Sequence, residues 1–219
     1  SDLSKGNAMG LMPGAMLGQG CFGLKAIALY PGNSARGLPS HAGAVLFFDA
    51  ASGTPLALIE ANSLTAIRTA AATAVATRAL ARPGGRVLGF LGAGHQAVWH
   101  ARALREVMPF TRLQVWSRNP ATVAHFAAEV GPLPGVEIVA VASPREAVHG
   151  ADVVCTLTGS REPVLEGAWL VPGQHVNLVG ASVAAACEAD VEVVRRAHYI
   201  VDARASAAVQ AGDGLSVDA

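Results

Sequence analysis

The stretch that most restricts what this chain can fold into is Val87 to Ala97, VLGFLGAGHQA. Its first five residues are apolar or small and suit a strand. Gly92, Gly94 and Ala97 then follow as Gly-x-Gly-x-x-Ala, the pattern of a strand entering a helix through a tight turn. The first glycine makes the turn. The second lets the backbone approach a pyrophosphate, and the small third residue lets helix and strand pack closely. Free N–H groups and the positive end of the helix dipole then face the anion. The spacing predicts a dinucleotide site at this turn.

The rest of the chain gives that turn its setting. Beyond Arg82-Pro83-Gly84-Gly85, strand-like and helix-like segments alternate. Strands are predicted over 87–91, 113–116, 136–139, 153–157, 176–179 and 199–201, with helices starting near Gln96, Ala121, Pro144, Glu188 and Arg204. Ser143-Pro144-Arg145-Glu146 is a capping box with proline at the first helical position. Such alternation implies an α/β fold with a Rossmann-type, doubly wound parallel sheet and right-handed crossovers. Upstream, Phe22 to Tyr30 reads as a strand, and 44–49 with 55–60 as a hairpin turning at 50–53. Asn62 or Ser63 is placed to cap a helix running to Leu80. The expected organisation is a partial, mainly antiparallel domain with its connecting helix over 1–82, the dinucleotide domain over 83–205, and a return towards the first domain over 206–219. About 60 residues of strand and turn make a thin independent core, so further chain or a partner subunit is expected to complete the first piece.

Composition narrows the class. A net charge of zero over 219 residues lacks the basic excess of a nucleic-acid binder. Mean hydropathy is +0.38, yet no apolar run reaches the roughly 20 residues of a membrane span. The opening SDLSKGNAMG has no basic region leading into an apolar core, so no signal peptide is expected. Cys21, Cys155 and Cys187 form an odd set without paired spacing, which favours a reducing, cytoplasmic compartment. The seven histidines lack metal-ligand spacing, and neither Gly-x-Ser-x-Gly nor Cys-x-x-Cys occurs. Neither a metal site nor a hydrolase is expected.

The second strand of the nucleotide domain runs into Ser117-Arg118-Asn119. An NAD-preferring site places an acidic residue about 20 residues after the glycines, on the ribose 2′-hydroxyl. Here a 2′-phosphate would meet a hydroxyl and a guanidinium. NADP is therefore favoured over NAD, the alternative being that Arg118 is a solvated loop arginine. Lys25 interrupts the apolar FGLKAIALY, either as an edge residue facing solvent or as an inward charge. Arg68 lies on the nearly uncharged helix LTAIRTAAATAVA and calls for an anion, either an internal carboxylate or that of a substrate. Thr69 beside it can reach a phosphate. Thr156 and Thr158, flanking Leu157, lie at a strand end where the cofactor should pass. Asp202 ends the last predicted strand, where ligand-contacting residues gather or where an aspartate simply caps the next helix. Asn177, within HVNLVG, needs partners if buried. Cys155 reads as a buried strand residue. His95, inside the turn, either touches the cofactor or is a loop residue.

Taken together, KAIALYPGN, the run GLPSHAGAVLFFDAASGTPLALIEANSLTAIRTAAATAVATRALAR, LGFLGAGHQA, VNLVGAS and YIVDA resemble the ornithine cyclodeaminase/mu-crystallin family over nearly the whole chain. The pairing of LTAIRTAA with GAGHQA is the specific part. The resemblance implies a homodimer with a mid-chain Rossmann domain and a substrate and dimerisation domain built from both termini, and a family chain longer at both ends than this one. It implies Lys25 as the active-site lysine and Arg68 as the arginine for a substrate carboxylate. It places Thr69, Gly92, Gly94, Gln96, Ser117, Arg118 and Thr156 at cofactor-contacting positions, with Ala93, His95, Asn119, Leu157, Thr158 and Ser182 around them. Asp202 becomes a second catalytic candidate, on the nicotinamide side.

One departure matters. Cyclodeaminases carry an aspartate where Gly180-Ala181-Ser182 has Ser182, and serine holds no charge for an ammonium and is no base near neutral pH. The GAS form resembles the ketimine reductase and mu-crystallin branch. The resemblance thus implies an NAD(P)H-dependent enzyme acting on the C=N or C–N bond of a small carboxylate-bearing imine or amino acid. The alternatives are an ornithine cyclodeaminase, an alanine dehydrogenase-like enzyme, and a non-catalytic nucleotide-binding protein of the crystallin type.

Overall fold

Period-two side-chain alternation organises the first part of the chain and strand–helix alternation the second, as the computed structural model of residues 6–39 and 41–215 shows. Residues 1–5, which open the segment considered as a leader, and 216–219, which close the expected return segment, lie outside the described residues. The chain divides into two compact units, 1–68 and 69–219. The division falls inside the connecting helix, upstream of the Arg82–Gly85 break.

The first unit is one antiparallel sheet of β1 (Ala8–Met16), β2 (Cys21–Leu29), β3 (His41–Asp49) and β4 (Pro55–Glu60), in that order. Nothing in AMGLMPGAM predicts β1, because Gly10, Pro13 and Gly14 break its alternation. Its place at the sheet edge makes the proline tolerable, since a missing N–H there need cost no ladder bond. Between β3 and β4 the Asp49 carboxylate accepts from the amides of Ala51 and Ser52 at 3.1 and 2.7 Å, and Gly53 takes a φ of 70°. The register sets Lys25 opposite Met12 and Val45, so these three share a face. The other face carries the stacked pair Phe22 and Phe48, with ring centroids 5.0 Å apart.

Helix α1 (Ala61–Leu80) follows β4. Its start is capped by neither Asn62 nor Ser63. The Glu60 carboxylate accepts the amides of both, at 2.6 and 2.8 Å, while the Asn62 side chain turns to the His41 carbonyl at 2.9 Å. A carboxylate does this better than an amide or hydroxyl because its charge also meets the positive end of the helix.

The second unit runs β5 (Val87–Leu91), α2 (His95–Arg105), β6 (Arg112–Trp116), α3 (Pro120–Val130), β7 (Glu137–Ala140), α4 (Pro144–Val148), β8 (Val153–Thr156), β9 (His175–Leu178), α5 (Val191–Arg196), α6 (Arg204–Gln210) and α7 (Gly212–Leu215). Its strands are parallel in the order β7-β6-β5-β8-β9. Leu88, Phe90, Leu104, Leu113 and Phe126 form the core on one face of the sheet, and Leu91, Val148, Val154 and Leu165 that on the other. The predicted capping box forms, with the Ser143 hydroxyl accepting the Glu146 amide at 3.2 Å. Strand order reverses between β5 and β8, and a doubly wound sheet opens its ligand crevice at that point, at the carboxyl ends of the strands.

Two further expectations fail. Residues 199–201 are not a strand: Tyr199 and Ile200 are 41% and 51% exposed, and no described strand pairs with them. An apolar run without a neighbouring edge has no ladder to join. Asp202 therefore ends no strand, and its carboxylate accepts the amide of Ala203 at 2.8 Å. Glu188 does not begin a helix either. Helix α5 starts at Val191, capped by Asp190, whose carboxylate accepts the amides of Val193 and Gly167 at 3.1 and 2.9 Å.

Candidate functional site

Within the first unit lies a cavity of about 520 Å³, walled by Met12, Met16, Leu24, Val45, Phe47 and Leu64 and carrying Lys25, Thr65 and Arg68. Strand β2 is internal to the sheet, so Lys25 is no edge residue; it faces the cavity. Its ammonium donates to the Thr65 hydroxyl at 2.8 Å, and that hydroxyl donates to the Ala61 carbonyl at 2.6 Å. Among the described residues the bond to Thr65 is the ammonium's one hydrogen bond, which leaves two of its three hydrogens for a ligand. Thr65 and Arg68 stand three residues apart on α1 and hence on one side of it. Burial, and then the nearby Arg68 charge, hold the Lys25 ammonium below the ordinary lysine range. Among the described residues Arg68 has no carboxylate partner. Two cations in an apolar cavity lined by no carboxylate make a site for an anion with an apolar body.

In the second unit the glycine turn has the geometry its spacing predicts. Gly92 takes a φ of 116°, and a Cβ there would lie 2.7 Å from the Leu157 carbonyl. Only glycine allows β5 to turn this close to the end of β8. At Gly94 a Cβ would meet nothing within 4 Å, so the space over the start of α2 is open. Ala93 and Ala97 are buried. The Gln96 side-chain oxygen is buried and has no hydrogen-bond partner among the described residues. An open helix start, a glycine-only approach and an orphaned buried oxygen fit a bound dinucleotide. His95 is the first residue of α2, exposed, edge-on to Trp99 and 3.9 Å from Glu129.

At the end of β6, Asn119 caps α3 by accepting the Ala121 amide at 3.0 Å, and the first turn of α3 holds no acidic residue. The Ser117 hydroxyl lies 2.7 Å from that of Thr122, and Arg118 is exposed. At the end of β8, Thr156 is fully buried and Leu157 nearly so. Ser182 is exposed, its amide bonded to the Gly180 carbonyl at 2.8 Å. Thr69 is a half-buried residue of α1. The described contacts draw Asp202 towards none of the other candidates. Asn177 is buried and donates to the Thr77 hydroxyl at 3.0 Å, and Cys155 beside it is buried, its thiol pushed up to about 12 by burial.

The family model of the ornithine cyclodeaminase/mu-crystallin family matches residues 2–216. The chain belongs to that family. It is 39% identical over 207 residues to the ketimine reductase mu-crystallin of Mus musculus, covering 94% of this chain and 65% of that protein. Its fold is similar to that of Thermococcus litoralis Delta(1)-pyrroline-2-carboxylate reductase in complex with NADH and L-proline (TM-score 0.85, 34% identity, 99% of this chain and 72% of that one). An archaeal alanine dehydrogenase dimer with bound NAD gives a TM-score of 0.90 at 30% identity, over 98% of this chain and 65% of that one. The chain spans just under two thirds of the length of the curated relatives it matches first.

Two parts of these sites escaped the sequence reading. Thr65, which holds Lys25, carries a legible signal, since it lies one helical turn before Arg68. Glu188 carries almost none. It is wholly buried, and its carboxylate accepts from the Thr156 hydroxyl at 2.7 Å, the Thr158 amide and hydroxyl at 2.5 and 2.6 Å, and the Gly180 amide at 2.6 Å. Burial pushes its pKa up, against the pull of those hydrogen bonds.

Proposed function

We propose that this family member is an NAD(P)H-dependent reductase of a small imine bearing a carboxylate, a cyclic ketimine acid being the model substrate. The observation that carries this reading is the cation pair Lys25 and Arg68 in an otherwise apolar cavity, in a chain that also has an open dinucleotide turn. The guanidinium of Arg68 clamps the carboxylate with two parallel hydrogen bonds. Lys25, anchored on Thr65, shares that charge or protonates the imine nitrogen, and burial together with the Arg68 charge makes its proton easier to give up than that of an ordinary lysine. The bound nicotinamide supplies hydride chemistry. The protein's part is orientation, charge and exclusion of water. The named activities of the mouse and Thermococcus relatives support the reading.

The cofactor is held at Gly92, Ala93, Gly94, His95 and Gln96, at Thr69, along Thr156, Leu157 and Thr158, and near Ser182. Its adenosine ribose lies against Ser117, Arg118 and Asn119. With no acid in the first turn of α3, NADPH is preferred to NADH. Asp202 stays a catalytic candidate by resemblance. The protein works as a homodimer in a reducing, cytoplasmic setting, consistent with three free cysteines. The apolar sheet face bearing Met9, Leu11, Phe22 and Leu58 is its proposed mutual surface: Leu58 is 73% exposed and Met9 62%. Among the described residues no helix is long and apolar enough to cross a membrane.

The test is spectrophotometric. Consumption of NADPH and of NADH is followed with pyrroline-2-carboxylate and piperideine-2-carboxylate. Turnover of either ketimine, faster with NADPH, is expected. Turnover with NADH alone would overturn the cofactor preference, and no turnover with clear nucleotide binding would overturn the reductase reading.

A further inference from the structure

We infer that Glu188 is a positioning residue for the nicotinamide half of the dinucleotide site. Both oxygens of its carboxylate are used, and every group that meets them is a donor. One oxygen accepts the amide and hydroxyl of Thr158, at 2.5 and 2.6 Å. The other accepts the Thr156 hydroxyl and the Gly180 amide, at 2.7 and 2.6 Å. The first three donors belong to the end of β8 and the residues just after it; the fourth belongs to the loop after β9. One buried charge therefore pins two neighbouring strand ends.

The pin is itself fixed. The amides of Glu188 and Ala189 both donate to one oxygen of Asp213 in α7, at 2.6 and 2.9 Å. Gly180 shows how tightly the pieces fit: a Cβ there would meet the Thr158 carbonyl and lie 2.6 Å from the Glu188 carboxyl group. Leu157, in turn, presents its carbonyl to Gly92. The pinned segments thus adjoin the glycine turn on one side and lead into Ser182 on the other.

Topology assigns this edge to one half of the cofactor. In a doubly wound sheet the half built on β5 and β6 carries the adenosine, and the half beyond the switch point, built on β8 and β9, faces the nicotinamide. A charge that sets the ends of β8 and β9 should control nicotinamide placement and leave adenosine binding alone. Buried carboxylates are costly unless every bond is made; here four are made, two of them to backbone N–H groups at separate strand ends, so the carboxylate holds both ends to one geometry.

This rests on the dinucleotide reading above, and the test separates the two. Glu188→Gln keeps the shape but turns an NH₂ group against a backbone N–H, at Thr158 or at Gly180, neither of which can become an acceptor. Affinities for NADPH and NADH are compared with those for their nicotinamide-free parts, 2′-phospho-ADP-ribose and ADP-ribose, alongside the melting temperature. The expected result is roughly tenfold or greater weakening for the whole dinucleotides and less than about twofold for the fragments. Equal weakening of both, or of neither, would overturn the inference, whatever happens to the melting temperature. Asp213→Asn removes the charge that anchors the Glu188 and Ala189 amides, at a residue that is no cofactor candidate, and serves if Glu188→Gln does not fold. It should show the same selectivity at about threefold, and a lack of selectivity there overturns the inference equally. If the unaltered protein binds neither dinucleotide nor fragment, the dinucleotide reading falls and this inference with it.

Discussion

Replacing Arg68 with alanine takes the guanidinium out of the cavity at little cost to α1, since alanine is the best helix former and Arg68 is exposed without a carboxylate partner among the described residues. Each charge-assisted hydrogen bond to a carboxylate contributes about 1.5–3 kcal/mol. A bidentate pair at the exposed mouth of a cavity takes the lower end, about 3 kcal/mol together, which is roughly a 100-fold loss in kcat/KM. The clamp grips substrate and transition state alike, so most of the loss appears in KM. Arg68→Lys keeps a charge without the fork and should recover about tenfold. A second effect follows from Lys25. Burial and the Arg68 charge both lower its pKa; deleting the charge removes the second cause, so the pKa rises and the alkaline limb of the pH–rate profile moves up. The assay is steady-state reduction of a carboxylate-bearing ketimine across pH, with thermal melting as the stability control. A kcat/KM unchanged by Arg68→Ala, or an alkaline limb that moves down, refutes the reasoning.

The remaining predictions are briefer. Gly92→Ala should abolish measurable nucleotide binding and destabilise the fold by about 1–3 kcal/mol, because its positive φ and the Leu157 carbonyl both oppose a Cβ; a titration like that of the unaltered protein would contradict this. Arg118→Ala should lower kcat/KM for NADPH by about tenfold and leave NADH nearly unchanged, read from paired initial rates. Buried His100 donates from Nδ1 to the Gln96 carbonyl at 2.7 Å and pairs through Nε2 with the Thr73 hydroxyl at 3.1 Å, and burial lowers its pKa from 6.5. A group with a depressed folded pKa holds the proton more weakly when folded, so stability is full above 6.5 and falls as pH drops below it. Melting curves should show that fall, and His100→Gln should flatten it. Leu58→Glu should dissociate the proposed homodimer in sedimentation while leaving the monomer folded.

The legible parts of the molecule were those governed by local rules. The glycine turn, the capping box at Ser143 and the strands on either side of Gly92 are fixed by backbone sterics and period, and these can be read from a few neighbouring residues. Strand β1 was hidden because sheet pairing overrides its glycines and proline. The 199–201 segment misled for the converse reason, an apolar run without a partner strand. Arg68 and Lys25 stood out as charges in apolar surroundings. Their meeting in one cavity depends on β2–β3 register and on the Glu60 cap that starts α1, which no single segment encodes. Glu188 was hidden most deeply, because its four donors come from residues 8 to 32 positions away.

The most direct test of the central claim follows the hydride itself. The protein is given NADPH carrying deuterium at the transferable position, with pyrroline-2-carboxylate, and the product is analysed by mass spectrometry and proton NMR. Hydride reduction of the imine predicts proline with one deuterium at Cα, one equivalent of oxidised cofactor and no ammonia. Product without deuterium, or ammonia released with the cofactor unchanged, would contradict the account.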